Sequence, residues 1–100
     1  MKLSKDELNE LFVYDESSPT CLRWRTNEYG TAGSVAGYHV NPSTNPYIFM
    51  YGSKVAVALI VWVMHDRVLD KHKALAPKDG DMRNCRISNI QEVVLYQYPY

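Results

Sequence analysis

The side chains best suited to metal or acid–base chemistry lie in one polar stretch that follows the longest apolar run of the chain. Carboxylates and imidazoles placed close together can hold a divalent cation and activate a water molecule. Local structure also explains these residues, because His65 is positioned to cap a helix, His72 lies among lysines, and Gly80 forms a tight turn with its neighbours. We expect structural roles for them rather than a metal site. The residues concerned are His65, Asp66, Asp70, His72, Asp79 and Asp81.

The two cysteines, Cys21 and Cys85, have no CxxC or CxxH spacing, so the sequence argues against a zinc cluster. One disulfide between them is an alternative, but we favour two small buried apolar side chains in a reducing cytoplasm. The third histidine, His39, falls in a predicted strand, where packing or solvent exposure accounts for it. We therefore predict no metal and no other cofactor.

The composition is that of one small globular domain covering residues 1–100. Hydrophobic residues make up 46% of the 100-residue chain, which is enough for a single core. Eleven basic side chains balance eleven acidic ones. This balance weakens a general nucleic-acid-binding role, because such proteins usually carry a basic excess. Residues 65–86 are locally basic, with six basic and four acidic side chains.

No segment of the chain is predicted to enter a membrane. The apolar run from Val55 to Met64 spans ten residues, about half the length of a membrane-crossing helix. The first ten residues contain no apolar signal core and become acidic by Asp6. We therefore expect a cytoplasmic protein.

The apolar periodicity predicts an α+β fold with an N-terminal helix, a small antiparallel sheet and a central helix. Ser4 and Glu7 form a capping box in front of the first helix. Alternating apolar and basic residues from Cys21 to Arg25 predict a half-buried strand, and we place the whole sheet at about residues 21–51. The other expected elements are helix 5–12, a loop entering a strand at 33–40, strand 47–51, turn 52–53, central helix 54–66, loop 76–81 and a hairpin at 74–95.

Several segments, taken in order, resemble the small phage HNH endonucleases, including the homing type. Residues 11–15 (LFVYD) and 22–25 (LRWR) resemble the opening of that family, and residues 32–40 (AGSVAGYHV) resemble its glycine-marked strand. Residues 60–66 (IVWVMHD) resemble its central helix, and residues 79–90 (DGDMRNCRISNI) resemble the end of its metal loop.

The resemblance covers about Leu11 to Glu92 and implies that the expected hairpin at 74–95 is a remnant of the family's ββα-metal hairpin. Without a metal, the hairpin must be held by packing. We expect four apolar side chains to supply that packing against the central helix, namely Ile87, Ile90, Val93 and Val94.

The departures from the family pattern bear on catalysis. The family's Ala-His-Arg triplet in the central helix reads Val-Ala-Leu at 57–59, and its Asp-His pair before the Asp-Gly turn reads Ala76 and Pro77. In the family the aspartate binds the divalent metal and the histidine is the general base, whereas alanine and proline supply neither. Loss of a general base alone costs about 100- to 10,000-fold in rate. The resemblance therefore implies a chain that is not an enzyme, although the family's central asparagine is retained as Asn89.

The first functional hypothesis is a catalytically inactive HNH-like phage protein that binds a host or defence protein. Such a protein would inhibit or regulate an enzyme, as an anti-CRISPR or host-takeover factor does. Balanced charge fits this role, and tyrosines are enriched at protein interfaces. Ordinary strand packing explains the same aromatic residues equally well. The interface candidates are Tyr47, Phe49, Tyr51, Tyr96, Tyr98 and Tyr100.

Two alternatives keep a nucleic-acid partner. A DNA-binding module without cleavage would use basic side chains for weak, strongly salt-sensitive phosphate contacts, although a solvated charged loop also accounts for them. A divalent-metal-dependent HNH endonuclease with an altered site is the third hypothesis. The candidate phosphate contacts are Arg23, Arg25, Lys71, Lys73, Lys78, Arg83 and Arg86.

Overall fold

The described residues form two helices and three antiparallel strand pairs, so the predicted α+β class is confirmed. The computed structural model describes residues 3–38 and 45–94. The elements are α1 (Lys5–Leu11), β1 (Phe12–Tyr14), β2 (Leu22–Trp24), β3 (Tyr47–Met50), β4 (Ser53–Ala56), α2 (Val57–Met64), β5 (Lys73–Pro77), a 3-10 turn (Ile87–Asn89) and β6 (Ile90–Val94).

Helix α1 begins and ends close to the predicted positions. The Ser4 side chain accepts a hydrogen bond from the Glu7 backbone N–H at 3.0 Å, which satisfies one of the unpaired donors of the first turn. Leu8 and Leu11 are buried on the inner face of the helix. Phe12 has extended backbone angles and starts β1, so the helix ends at Leu11.

The predicted single sheet over residues 21–51 is wrong in its pairing. The strand pairs are β1 with β2, β3 with β4, and β5 with β6, each forming a separate two-stranded antiparallel sheet. Strand β2 pairs back to β1, with Phe12 opposite Trp24. The predicted strand at 33–40 is reduced, within its described part, to isolated bridges from Val35 to Arg23 and from Tyr38 to Tyr47. The half-buried strand predicted at 21–25 is confirmed over Leu22–Trp24, and it begins after Cys21, whose backbone is left-handed with φ of 64°.

The central helix starts later than predicted because residues 53–56 form β4. Tyr51 and Gly52 have φ of 53° and 76°, the pair of positive values that a two-residue type I′ hairpin turn requires. This turn brings β4 back along β3 and pairs the buried Val55 with the buried Ile48. Lys54 and Val55, which were predicted to begin the central helix, therefore lie in a strand, and α2 begins at Val57.

Helix α2 lies at the centre of the hydrophobic core. Val57, Ile60 and Val61 have no exposed surface, and the helix packs against α1 and against Phe12 and Leu22 within one core cluster. At eight residues the helix is about 12 Å long. None of the helices in the described ranges is long and apolar enough to cross a lipid bilayer.

Strands β5 and β6 form an antiparallel pair over the region where a hairpin was predicted. The predicted loop at 76–81 is shorter than expected, because Ala76 and Pro77 lie in β5 opposite Gln91 and Ile90. The turn around Gly80, which has φ of 80°, is confirmed.

The packing predicted for this hairpin is only partly right. Ile90 is buried and Ile87 packs against the core, whereas Val93 and Val94 are 36% and 54% exposed. Val93 lies on the opposite face of β6 from Ile90. Val94 lies four residues beyond Ile90, about 13 Å farther along the strand. The core therefore holds the hairpin at its Ile90 end.

The prediction that Cys21 and Cys85 are buried and not joined in a disulfide is confirmed. Cys21 and Cys85 are free and buried, with 4% and 1% of their surface exposed. Burial raises the pKa of both thiols, that of Cys85 to about 12. The neutral thiol behaves as a small apolar side chain and is a poor nucleophile.

Candidate functional site

Three of the five positions that the sequence comparison above singled out as departures from the resembled pattern lie together in the structure. Ala58 is in the first turn of α2, and Ala76 and Pro77 form the end of β5. All three line one recess of about 10 Å³, room for no more than one water molecule. The recess is otherwise lined by Asn45, Leu75, Met82, Asn84, Cys85 and Ile90. Methyl groups and a proline ring supply neither a metal ligand nor a base at this point.

A larger apolar groove adjoins the recess and was not predicted from the sequence. Its volume is about 230 Å³, and it shares Asn45, Ala58 and Leu75 with the recess. The rest of its wall comes from Ala56, Leu59, Leu69, Lys73 and Ala74. The available signal was the pair Leu69 and Leu75, the two leucines of a stretch that is otherwise rich in charged residues.

Asn89 organises the loop that connects β5 to the 3-10 turn. Its Nδ2 donates to Asp79 Oδ1 and to the Asn84 carbonyl, both at 3.0 Å, and its Oδ1 accepts from the Asp79 N–H at 3.2 Å. The Asn89 carbonyl accepts from the Lys78 N–H at 2.7 Å. Asn84 adds a second amide bond, from its Nδ2 to Asp79 Oδ2 at 2.9 Å. Asn89 therefore ties both ends of the loop together.

The two loop carboxylates are engaged by neighbouring donors. Asp79 accepts from the Asp81 backbone N–H and from two amide side chains, and these bonds lower its pKa. Asp81 accepts from the Arg83 backbone N–H at 3.0 Å and from its guanidinium at 3.3 Å, which lowers the pKa of Asp81. Across residues 3–38 and 45–94, no group of three or more His, Cys, Asp or Glu side chains is arranged to hold a metal ion.

The histidines occupy the structural positions expected for them, as far as the structure describes them. His65 caps α2, with its Nδ1 at 2.8 Å from the Val61 carbonyl and its ring edge-on to Tyr14 at 4.6 Å between centroids. His72 is exposed between α2 and β5. His39 lies outside the described residues.

Four of the seven candidate phosphate contacts bond to protein groups. Arg23 binds Asp15 at 2.8 Å and the Gly33 carbonyl at 3.0 Å, and Arg25 donates to the Asn9 carbonyl at 2.7 Å. The Lys73 ammonium lies 3.5 Å from Asp70, and Arg83 binds Asp81.

The other three candidate cations, Lys71, Lys78 and Arg86, are exposed. Arg86 lines a polar cleft of about 360 Å³ that also contains Glu16 and Asp81. These two carboxylates would repel a phosphate placed in the cleft. The cleft beside Arg86 is therefore partly acidic.

The candidate interface aromatics separate into two sets. Tyr47 and Phe49 lie on the same outer face of β3, with ring centroids 5.5 Å apart, and Phe49 is 63% exposed. Tyr51 lies in the hairpin turn, and its hydroxyl donates to Glu7 of α1 at 3.2 Å. Tyr96, Tyr98 and Tyr100 lie outside the described residues.

Two members of this outer face were missed by sequence reasoning. Tyr38 is bridged to Tyr47, with ring centroids 6.0 Å apart. Lys54 lies opposite Phe49, and its ammonium is 4.2 Å from the centroid of the Tyr47 ring. Recognition of β4 as a strand would have placed Lys54 there, because paired residues share a face of the sheet.

Comparison with protein families, curated proteins and solved structures finds no match to this chain.

Proposed function

We propose that this chain is a catalytically inactive HNH-like phage protein that binds a host or defence enzyme and inhibits or regulates it. In this proposal β5 and β6 are the remnant of the metal hairpin, and the protein acts in the host cytoplasm. The observation that carries the proposal is the shared recess of Ala58, Ala76 and Pro77. These positions were chosen from the sequence resemblance, and they belong to two separate elements, α2 and β5. They line the same recess, as we expect of residues that replace the parts of one former active site.

The chemistry of the recess supports binding over cleavage. Phosphodiester hydrolysis needs an activated water molecule and a cation to stabilise the charge that develops on the phosphate. Ala58, Ala76 and Pro77 provide neither, and Leu59 and Leu75 make the adjoining groove apolar. An apolar groove gains free energy from burying the side chain of another protein.

The outer face of β3 also supports a protein partner. Phe49 exposes an aromatic ring that contributes little to the core, since 63% of its surface is accessible. Aromatic side chains in this setting supply much of the binding energy of protein interfaces. Tyr38 is exposed to the same extent and extends the aromatic surface.

A second candidate function is a DNA-binding module that does not cleave. Lys71, Lys78 and Arg86 favour it, because they are exposed and form no ion pair with another described residue. Three such cations would give weak binding that falls steeply with salt.

The proposal is tested by two assays on the full chain. Incubation with supercoiled plasmid and Mg²⁺ or Mn²⁺ should give no nicking above the buffer control.

Affinity capture from host lysate, followed by mass spectrometry, should return one stoichiometric protein with the wild type and with Val68→Ala. The Phe49→Ala variant should return less of the same protein. Val68 is a suitable control because it is 81% exposed and lies outside both the groove and the β3 face. Metal-dependent nicking, or a low-salt gel shift of duplex DNA without any protein partner, would overturn the proposal.

A further inference from the structure

The outer face of the β3–β4 hairpin is an unusual mixture of aromatic and cationic side chains. Strand register pairs Tyr47 with Ala56 and Phe49 with Lys54, and paired residues project to the same side. The opposite side carries the buried Ile48 and Val55. The hairpin therefore presents an aromatic strip with an ammonium group to solvent.

This strip continues into the apolar groove. Ala56 is opposite Tyr47 at one end of the outer face, and it is also part of the groove wall. Ala58 and Leu59, in the first turn of α2, continue the same wall to Leu75 of β5. The two features thus form one continuous area, which we call the strip–groove surface.

Both charged side chains of the strip–groove surface are lysines. The Lys54 ammonium stacks on Tyr47 and has no carboxylate within 4.0 Å in the part of the chain that the structure describes. Lys73, at the groove, is 3.5 Å from Asp70, and both side chains are substantially exposed. An exposed pair of this kind is weak, so Lys73 can readily exchange Asp70 for the carboxylate of another protein.

We infer that the strip–groove surface binds an acidic segment of a protein, with one bulky apolar side chain in the groove and carboxylates facing Lys54 and Lys73. The inference rests on the proposed function and names the chemistry of the partner. The groove, at about 230 Å³, is smaller than typical pockets for drug-sized ligands, which are roughly 300–1,000 Å³. One or two side chains fill such a volume.

A protein segment fits this surface better than single-stranded nucleic acid. Nucleic-acid platforms combine stacked bases with a cationic groove that follows the phosphates. Here the groove wall is made mostly of alanine and leucine side chains, and the Tyr47 and Phe49 rings are perpendicular, at 90°. The two cations match a segment with a few carboxylates better than a continuous phosphate backbone.

The inference is tested by NMR titration of the isotope-labelled full chain with three probes. The probes are the acetylated peptide Asp-Glu-Leu-Trp-Asp-Glu, its basic counterpart Lys-Arg-Leu-Trp-Arg-Lys, and a short oligothymidylate. The acidic peptide should shift the backbone amides of Phe49, Lys54 and Leu75 and bind at least about tenfold more tightly than the basic peptide. The preference should shrink as salt is raised.

Charge-reversal variants give the matched control. Lys54→Glu combined with Lys73→Glu should weaken the acidic peptide about tenfold or more, whereas Lys71→Glu combined with Lys78→Glu, at two exposed lysines outside the surface, should leave its affinity within about twofold. Circular dichroism confirms that each variant is folded. Equal losses in the two variants, shifts caused by oligothymidylate alone, or no shifts with any probe would each overturn the inference. If the acidic peptide fails while lysate capture still returns its partner, the proposed function stands and this surface assignment is wrong.

Discussion

The Asn89 side chain and Asp79 are joined by two hydrogen bonds, one in each direction. Asn89 Nδ2 donates to the Asp79 carboxylate at 3.0 Å, and Asn89 Oδ1 accepts from the Asp79 backbone N–H at 3.2 Å. The Asn89 amide therefore ties the start of the loop between β5 and the 3-10 turn to its end.

Replacement of this amide should destabilise the fold. Asn89→Ala removes three side-chain hydrogen bonds, and we expect a loss of about 1–2 kcal/mol in the free energy of unfolding, because the bonds are only partly shielded from water. Ser88→Ala, at the exposed neighbouring residue, should change it by less than about 0.5 kcal/mol. Urea denaturation followed by circular dichroism measures both. Equal losses in the two variants would show that the amide does not hold the loop.

Asp15 should make the fold sensitive to acid. Its pKa falls from 3.8 to about 2, chiefly because the Ser17 hydroxyl and backbone N–H donate to it, with the Arg23 guanidinium adding to the effect. Because the folded pKa is the lower one, this carboxylate stabilises the fold fully above about pH 4. That stabilisation is lost as the pH falls towards 2.

The acid sensitivity is measured by thermal melting of wild type and Asp15→Asn between about pH 5 and pH 2. The variant should melt at a lower temperature at pH 5, and the two melting temperatures should converge as the pH falls. Glu10→Gln, at an exposed residue of α1, should stay parallel to the wild type. A constant difference between wild type and Asp15→Asn across the range would contradict the assigned pKa.

Gly37 should tolerate substitution less well than Gly33. Both residues have positive φ, 112° and 87°, so alanine is strained at either position. A Cβ on Gly37 would lie 3.0 Å from Val57 Cγ2 and 3.2 Å from Thr20 Cγ2, whereas a Cβ on Gly33 meets no atom within 4 Å.

We therefore expect Gly33→Ala to cost about 1–2 kcal/mol for backbone strain alone. Gly37→Ala should cost about 1–3 kcal/mol more, because the added methyl overpacks the start of α2. Chemical denaturation of the two variants gives the difference directly. Similar values for both would mean that Val57 and Thr20 move aside without cost.

Tyr14 links the first strand pair to the C-terminal part of the chain through its hydroxyl. The hydroxyl accepts from the Ile87 backbone N–H at 3.0 Å and donates to the Glu16 carboxylate at 2.6 Å. Burial, followed by the bond to Glu16, raises the pKa of Tyr14 to about 12. The neutral hydroxyl is therefore the form present at neutral pH.

Tyr14→Phe leaves the Ile87 N–H without its acceptor and should lower the free energy of unfolding by about 1–2 kcal/mol. Tyr51→Phe is the matched control, since the Tyr51 hydroxyl bonds Glu7 at the surface, and it should cost less than about 0.5 kcal/mol. Amide hydrogen exchange should also speed up at Ile87 in Tyr14→Phe only. Unchanged exchange at Ile87 would contradict the link.

Features encoded within a few residues were predictable from the sequence. The Ser4–Glu7 capping box placed the start of α1, and the Asp-Gly dipeptide placed the turn at Gly80, because both devices act through bonds to their own neighbours. The α+β class followed from periodicity. The boundary of α2 did not, because a β-branched apolar run suits a buried strand and a buried helix equally.

The sequence by itself determined the chemistry available at each position, including the alanine and proline at 76 and 77. Only the tertiary structure decided which positions meet. It placed Ala58, Ala76 and Pro77 around one recess. It also paired Arg23 with Asp15 and stacked the Lys54 ammonium on the Tyr47 ring. The physical reason is that these contacts join separate elements through strand pairing and packing around α2, which local propensity does not specify.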